Sequence, residues 1–490
     1  MYEQLKNEAI LPDLDQNIAR VRQLCGNTSD LMVNPFTCGN VKACFFGSEA
    51  MFSSAMLAEL VLEPITKVPE NINDAYSLFD YIQNKLILSA DRVEVTNYAD
   101  FFRTLDSGFA VIAAHGMPMV LAFGIQGYEK RSLSEPNGEG NILGSHEGFC
   151  EVVRINMSLL RRRLKTPMFH MELFTLGSQS KTDVCLCYMR DRVPQSLITD
   201  IKHSLSKIKL EAILSTGYVR PFLESSKPHI FDSVGTSERP DVVCAKIIEG
   251  RVALLIDGIP FALTVPKLIS ESFQTLDDYC FKPFYATFIR ILKYAAFLIA
   301  LFLPAIYVAF GVHHQDMLNP TLLSILQEGE EKAPFPLLAE ALGVLLIYEI
   351  IREAGLRMPR GVGGTVSIVG GLIIGDAAVS SGLISTPMLT IAAVAVLSGF
   401  VISDFAPQIA FLRIVFLACG GLFGLFGIAC AACVVLFNAC ATQSYGYPVT
   451  APFSPFDLYA MRDTAMRVGF PKLQKGGFTV EKLKKGGGNE

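Results

Sequence analysis

Ionisable side chains are concentrated where they cost most, in residues 340–379, EALGVLLIYEIIREAGLRMPRGVGGTVSIVGGLIIGDAAV. An apolar helical pattern carries Glu340, Glu349, Arg352, Glu353 and Arg357; an Arg-rich turn follows, then a Gly-rich apolar segment bearing Asp376. An Asp or Arg at the centre of a helix in hydrocarbon costs about 2.5–3.5 kcal/mol on insertion scales. Several in one hairpin point to work rather than anchoring. Glu349 lies three residues before Arg352 and four before Glu353, so all can share one helix face. Arg352 is expected to neutralise Glu349 at the membrane boundary, with Glu353 and Arg357 continuing into the turn. Glu340, about half a turn away around the helix, has two readings: a hydrogen bond at a subunit contact, or a proton or ion site. On the Gly-rich segment Val362, Val366, Val369 and Ile373 recur at helical spacing, with Asp376 near the far end. Rings of such apolar side chains gate by dewetting, and a ring of Asp favours cations. In the alternative, this face packs on residues 335–351 and Asp376 caps a helix.

The elements that must position these residues are apolar helices. Charged residues make up 18% of the chain, against about 25% in soluble domains, and mean hydropathy is +0.38. The excess is uneven: residues 1–285 look globular, whereas 288–442 carry few charges outside one loop and one turn. Spans are expected at 292–312 (with a kink at Pro304), 335–351, 365–379, 388–403 and 409–437. The third and fourth are short, about 15 residues against about 20 for a full crossing. Their small residues Gly370, Gly371, Gly375, Ala392, Ala393 and Ala395 suit them to burial among helices. Lys282, Arg290 and Lys293, then Arg352, Arg357 and Arg360, then Arg462, Arg467 and Lys472 mark cytosolic flanks. Five crossings would leave the tail outside, so 365–379 is read as re-entrant, giving four full spans. His313-His314 reads as an interfacial pair; as a metal site it lacks a third ligand close in sequence. Cys430-x-x-Cys433 reads as small packing residues rather than redox or metal chemistry. The polar, acidic start MYEQLKNEAILPDLDQ lacks a secretory signal's apolar core, so the first domain is expected on the cytosolic side.

The globular half is a duplication. Gly108, Gly116 and Pro118 recur as Gly250, Gly258 and Pro260, and Phe36-Thr37-Cys38-Gly39 as Phe174-Thr175-Leu176-Gly177. Each copy reads strand, turn, strand, helix, linker, helix, strand, turn, strand, its last two strands joined by a Gly-x-Pro hairpin turn. His115 and Asp257 precede the turn glycine at equivalent positions, which favours a turn role over catalysis. Arg161-Arg162-Arg163 ends a connecting helix; it forms a solvated or interdomain face, or else a phosphate or anionic-lipid site. The expected fold class is an α/β soluble domain of two related subdomains, then an all-α polytopic transmembrane domain and a short cytosolic tail. The segments are 1–30 (polar, helical), 31–135, 136–165 (linker and helix), 166–285, 286–442 (transmembrane) and 443–490. No Walker A, G-x-S-x-G, H-E-x-x-H or dinucleotide fingerprint occurs, so neither enzyme activity nor a cofactor is expected. Net charge is −5 with no basic stripe, which argues against nucleic acid.

The blocks SEPNGEG…GSHEGFCEVVRINMSLLRRRLKTP, SERPDVVCAKIIEGRVALLIDGIPFALTVP, IIREAGLRMPRGVGGTVSIVGGLIIGDAAVSSGLIS and YGYPVTAPFSPFDLYAMRDTAMR resemble the GerA family of spore germinant-receptor A subunits and its stage V sporulation relative. The likeness runs from about residue 31 to 472. Gly144-Ser145 stands where the family has Gly-Pro. The resemblance implies a non-enzymatic subunit of the inner spore membrane with its two-lobed domain in the cytosol. It implies a homo-oligomeric ring that builds an ion channel with a multi-pass B-type subunit, which senses the nutrient, and a C-type lipoprotein. A secondary transporter built on broken helices is the runner-up, although the membrane half shows no inverted repeat; a passive scaffold is the third reading.

Overall fold

Two antiparallel sheets of identical strand order carry the N-terminal lobes. In the first, β1 (Leu31–Cys38), β2 (Val41–Ser48), β3 (Arg92–Val95), β4 (Phe109–Ala114) and β5 (Val120–Gly124) lie in the order β1-β2-β4-β5-β3. In the second, β6 (Phe169–Leu176), β7 (Thr182–Met189), β8 (Gly235–Ser237), β9 (Val252–Ile256) and β10 (Ala262–Val265) repeat it as β6-β7-β9-β10-β8. The computed structural model describes all residues except 1, 27, 50, 71, 86–90, 126, 128–135, 137–138, 140–142, 225–227, 358–374, 459, 474–479 and 481–490. The edge strands β3 and β8 are additions to the pattern expected from sequence. RVEV and GTS are too short to show a periodic signal, and each is set by pairing with the last strand of its lobe. Gly116 and Gly258 have φ of 95° and 80°, the left-handed conformation that their hairpins need and that glycine adopts without strain.

Both sheets are covered on two faces. In lobe 1, α1 (Leu14–Cys25) and α3 (Tyr98–Leu105) pack with Phe46, Val111 and Ala113, while α2 (Ala75–Asn84) packs on the opposite face with Phe45 and Ile112. In lobe 2, α4 (Val153–Arg163) and α6 (Pro240–Ile248) cover one face and α5 (Gln195–Ser206) the other. The duplication reaches upstream of β1 and β6 to include α1 and α4. Buried Asn17 accepts from the Leu11 amide and donates to its carbonyl; buried Asn156 does the same with Cys150. His115 Nδ1 accepts from the Leu14 N–H at 3.4 Å and Asp257 Oδ1 from the Val153 N–H at 3.0 Å. The paired turn residues thus satisfy the first amide of equivalent helices, which has no intrahelical partner.

The helical unit comprises α7 (Pro283–His313), α8 (Pro320–Lys332), α9 (Leu337–Arg357), a helical turn at residues 375–380, α10 (Thr386–Phe400) and α11 (Ala406–Ala441). Among the described residues two stretches, Pro283–His313 and Ser403–Ala441, are long and apolar enough to cross a membrane; Thr386–Phe400 is apolar but shorter. The single span expected at 409–437 is corrected here: α11 reverses direction at Gly424, whose φ/ψ of 63°/−151° is not helical. A Cβ on Gly427 would lie 2.4 Å from the Cys419 carbonyl oxygen, a contact that a straight helix, rising about 1.5 Å per residue, cannot make. Both ends of α11 meet the same loop of lobe 2: Phe405 stacks edge-on against Phe231, and Asn438 exchanges hydrogen bonds with Pro228 and Ile230. After α11 the chain returns to lobe 2, where Tyr447 joins the core and the Val480 amide donates to the Glu249 carbonyl.

Candidate functional site

Helix α9 starts beside the far end of α7, where Leu337 and Leu326 crowd Gly311, and runs back towards the lobes. Glu340, in its first turn, is 3% exposed. Its Oε1 accepts from the backbone N–H of Ser385 at 2.6 Å and from the Ser385 hydroxyl at 2.7 Å. Ser385 is the N-cap of α10, so the carboxylate satisfies an amide at a helix start and sits at the positive end of that helix's dipole. Its second oxygen, Oε2, has no hydrogen-bond partner among the described residues. Further along α9, Glu349 pairs with Arg352 at 2.7 Å, and Glu353 with Arg357 at 2.7 Å. The second pair is exposed and contributes at most about 0.3–0.5 kcal/mol; the first is half-buried. The side chain of Asp376 is exposed on the helical turn at 375–380. Val362, Val366, Val369 and Ile373 lie outside the described residues.

Two further features emerge: Arg413, which sequence reasoning passed over, and a structural role for the His313-His314 pair, which it read only as interfacial. Arg413 on α11 is 4% exposed; its Nε donates to the carbonyl of Ala300 at 2.9 Å and its Nη2 to that of Ala395 at 3.3 Å. The histidines at the end of α7 hold the turn of α11: His313 Nε2 donates to the Gly421 carbonyl at 2.8 Å, and His314 Nε2 accepts from the Leu425 amide at 3.4 Å. The signals were present. Gly420, Gly421, Gly424 and Gly427 cluster in one apolar run, and 36 residues span about 54 Å as one helix, far beyond a hydrocarbon core of about 30 Å.

The junction with lobe 2 is polar. Arg290 of α7 donates to Asp278 at 2.8 Å and to the Asp463 carbonyl at 2.6 Å, and Lys293 donates to Thr275 at 3.0 Å. Beside it lies a cavity of about 240 Å³ whose wall includes Glu139, Lys246, Arg251, Glu271, Tyr279 and Asp404. Burial pushes the Glu139 carboxyl above its usual range. These charges are largely spent on each other, since Glu271 takes Arg251 at 2.8 Å and Lys246 at 3.2 Å. The Arg161-Arg162-Arg163 run is consumed in the same way. Arg161 is buried against Asp30 between the lobes, and Arg162 and Arg163 converge on Glu147. Among the described residues no group of three His, Cys, Asp or Glu is placed to hold a metal ion.

A duplicated α/β body joined to a unit of apolar helices, its buried charges spent on helix ends and lobe contacts, defines the class of protein. Within that class the chain belongs to the Bacillus/Clostridium GerA spore germination protein family, whose model matches residues 19–476. It is 33% identical over 464 residues to spore germination protein KA of Bacillus subtilis (strain 168), covering 94% of this chain and 85% of that protein. It is 34% identical over 468 residues to the uncharacterized membrane protein YfkQ of the same strain, covering 95% and 91%, and 32% identical over 340 residues to its spore germination protein A1, covering 69% and 70%. Among solved structures it is similar to the N-terminal domain of the A subunit of the Bacillus megaterium spore germinant receptor GerK3. That match is 26% identical with a TM-score of 0.42 and covers 54% of this chain and 98% of that one.

Proposed function

We propose that this protein is a membrane subunit of a spore germinant receptor, and that copies of it form a nutrient-gated ion channel which releases ions at germination. Family membership supports the receptor assignment. The channel reading rests on one observation, the Glu340–Ser385 bond. Arg357 lies about 26 Å beyond Glu340 along α9, and Ser385 is tied back beside Glu340. Arg357 and Ser385, the described residues on either side of the Gly-rich arm, therefore lie near opposite ends of α9, about 26 Å apart along it. Among the described residues α7, α9, α10 and the two arms of α11 supply five apolar passes, and residues 358–374, which hold most of the segment expected to be re-entrant, lie outside them. The Gly-rich arm is then the pore wall, with Val362, Val366, Val369 and Ile373 as its apolar gate and Asp376 as a cation-favouring group at its mouth. Its partners are other copies of the chain in a ring, a multi-pass B-type subunit, a C-type lipoprotein and membrane lipid, with the lobes on the cytosolic side.

Reconstitution in planar bilayers tests this reading: unitary conductance is expected, whereas substrate-saturable flux or no flux supports a transporter or a scaffold. Val366→Ala or Val369→Ala should make spores leak or germinate without nutrient; unaltered dormancy and germination in both variants counts against this wall.

A further inference from the structure

Arg413 presents an energetic puzzle. It is a cation almost wholly buried in an apolar helical bundle, and its hydrogen-bond partners among the described residues are two backbone carbonyls, with Nη1 left over. The identity of the first carbonyl resolves it. In an α-helix the N–H of residue i donates to the carbonyl of residue i−4. Residue 304 is proline, which has no N–H and whose ring pushes against that carbonyl. The acceptor that Pro304 leaves empty is Ala300, and Ala300 is the carbonyl that Arg413 Nε reaches at 2.9 Å. The other side of the guanidinium lies against α10 at Gly399, where an added Cβ would come within 3.2 Å of Nη2. Close approach of α11 to the Pro304 region of α7 is allowed by Gly420, where a Cβ would lie 2.7 Å from the Ala305 carbonyl.

We infer that Arg413 is a positioning residue: it supplies the hydrogen bond that Pro304 removes, and so fixes α7 at Pro304 against α10 and α11. Two donors held in one rigid plane are needed to serve carbonyls on two helices at once, which arginine provides and lysine does not. Fixing α7 at Pro304 matters because this helix links the two ends of the bundle. Its near end is held by Asp278 and the Asp463 carbonyl through Arg290, and its far end holds the α11 turn through His313 and His314. This inference stands whether or not the Gly-rich arm lines a pore.

The test is a double-mutant cycle on the full chain in lipid nanodiscs, read by hydrogen–deuterium exchange of peptides covering residues 296–308. Arg413→Gln should speed exchange there about tenfold while leaving lobe 1 peptides unchanged, and Arg413→Lys should fall between. In a Pro304→Ala background the backbone N–H restored at position 304 can take the Ala300 carbonyl, so Arg413→Gln should then change exchange less than about threefold. An equal effect in both backgrounds, or none in either, overturns the inference. Should Pro304→Ala not fold, Gly399→Ala serves instead. It touches the guanidinium and not α7, so it should speed exchange at 296–308, and unchanged exchange there overturns the inference equally.

Discussion

Asp30 of lobe 1 accepts two hydrogen bonds from Arg161 of lobe 2, at 2.7 Å from Nε and 3.0 Å from Nη2, with both side chains almost wholly out of water. Arg161 also donates to the Phe169 carbonyl and lies over the Phe169 ring, 4.8 Å from its centroid. Beside it the Ser29 amide donates to the Met171 carbonyl of edge strand β6. Breaking a buried pair by removing one partner leaves an uncompensated charge and costs about 3–5 kcal/mol. Asp30→Ala should therefore lower the melting temperature of the lobes sharply, followed by circular dichroism because the chain has no tryptophan. The double variant Asp30→Ala/Arg161→Met should recover much of the loss. A double variant as unstable as the two single losses summed would mean that the pair does not act as a unit.

Asp106 stands 3.9 Å from Arg161 in the same contact. Burial pushes its carboxyl up to about 7, against the attraction of Arg161 and with a push from Asp30. A carboxyl whose folded pKa lies above its unfolded value of about 3.9 binds more protons when folded. Stability is therefore present at low pH and lost as pH rises from about 4 through about 7, by an amount on the order of 2–4 kcal/mol for this group alone. Melting at pH 5.5 and pH 8 should show this slope superimposed on the rest of the protein, and Asp106→Asn should flatten it. The same slope in Asp106→Asn would assign the pH dependence to other groups.

Glu340 needs its shape and one accepting oxygen to cap α10, so Glu340→Gln should retain germination close to wild type. Glu340→Ala should weaken it, since loss of an N-terminal cap costs roughly 1 kcal/mol and here also leaves a buried amide unpaired. Spore germination assays on the two variants separate the cap from an obligatory charge: failure of the Gln variant would restore the proton or ion reading of this residue.

The reversal at Gly424 predicts where the turn lies. An alkaline phosphatase fused after residue 424 should be active outside the membrane, and one fused after residue 443 should be inactive inside. Gly424→Ala should destabilise the turn, because φ is +63° there and the new Cβ would meet His314 Nε2 at 2.9 Å. Equal reporter activity at 424 and 443 would remove the second arm from the membrane.

The duplication was readable because its glycines and prolines serve turns whose geometry admits few other residues, as Gly116 and Gly258 show. The upstream part of the repeat was not. Asn17 and Asn156 act through a single side chain in an otherwise polar context, and no local pattern announces them. The charged α9 face was legible from spacing alone, since pairing three and four residues apart is a property of one helix. The Gly424 turn was signalled only by its clustered glycines and the excess length of the run, because both of its arms are equally apolar and a turn at a helix-bundle rim need carry no polar punctuation. Pro304 announced a missing backbone hydrogen bond, but its remedy comes from Arg413, more than a hundred positions away, and no local rule connects them. Glu340 stood out as a cost; that its partner was Ser385 could be known only from the packing of α9 against α10.

The chain leaves lobe 2 at Lys282 and comes back to it at Thr442, with Tyr447 in that lobe's core and Val480 on the Glu249 carbonyl. The helices are therefore slung from lobe 2 at two points rather than trailing from one. A load hung by a single strand can swivel freely beneath its support, whereas one slung by two must tilt when the support tilts. Any rocking of lobe 2 is thus delivered to the bundle as torque, and severing the tail after residue 442 would free that swivel as well as strip Tyr447 from the core.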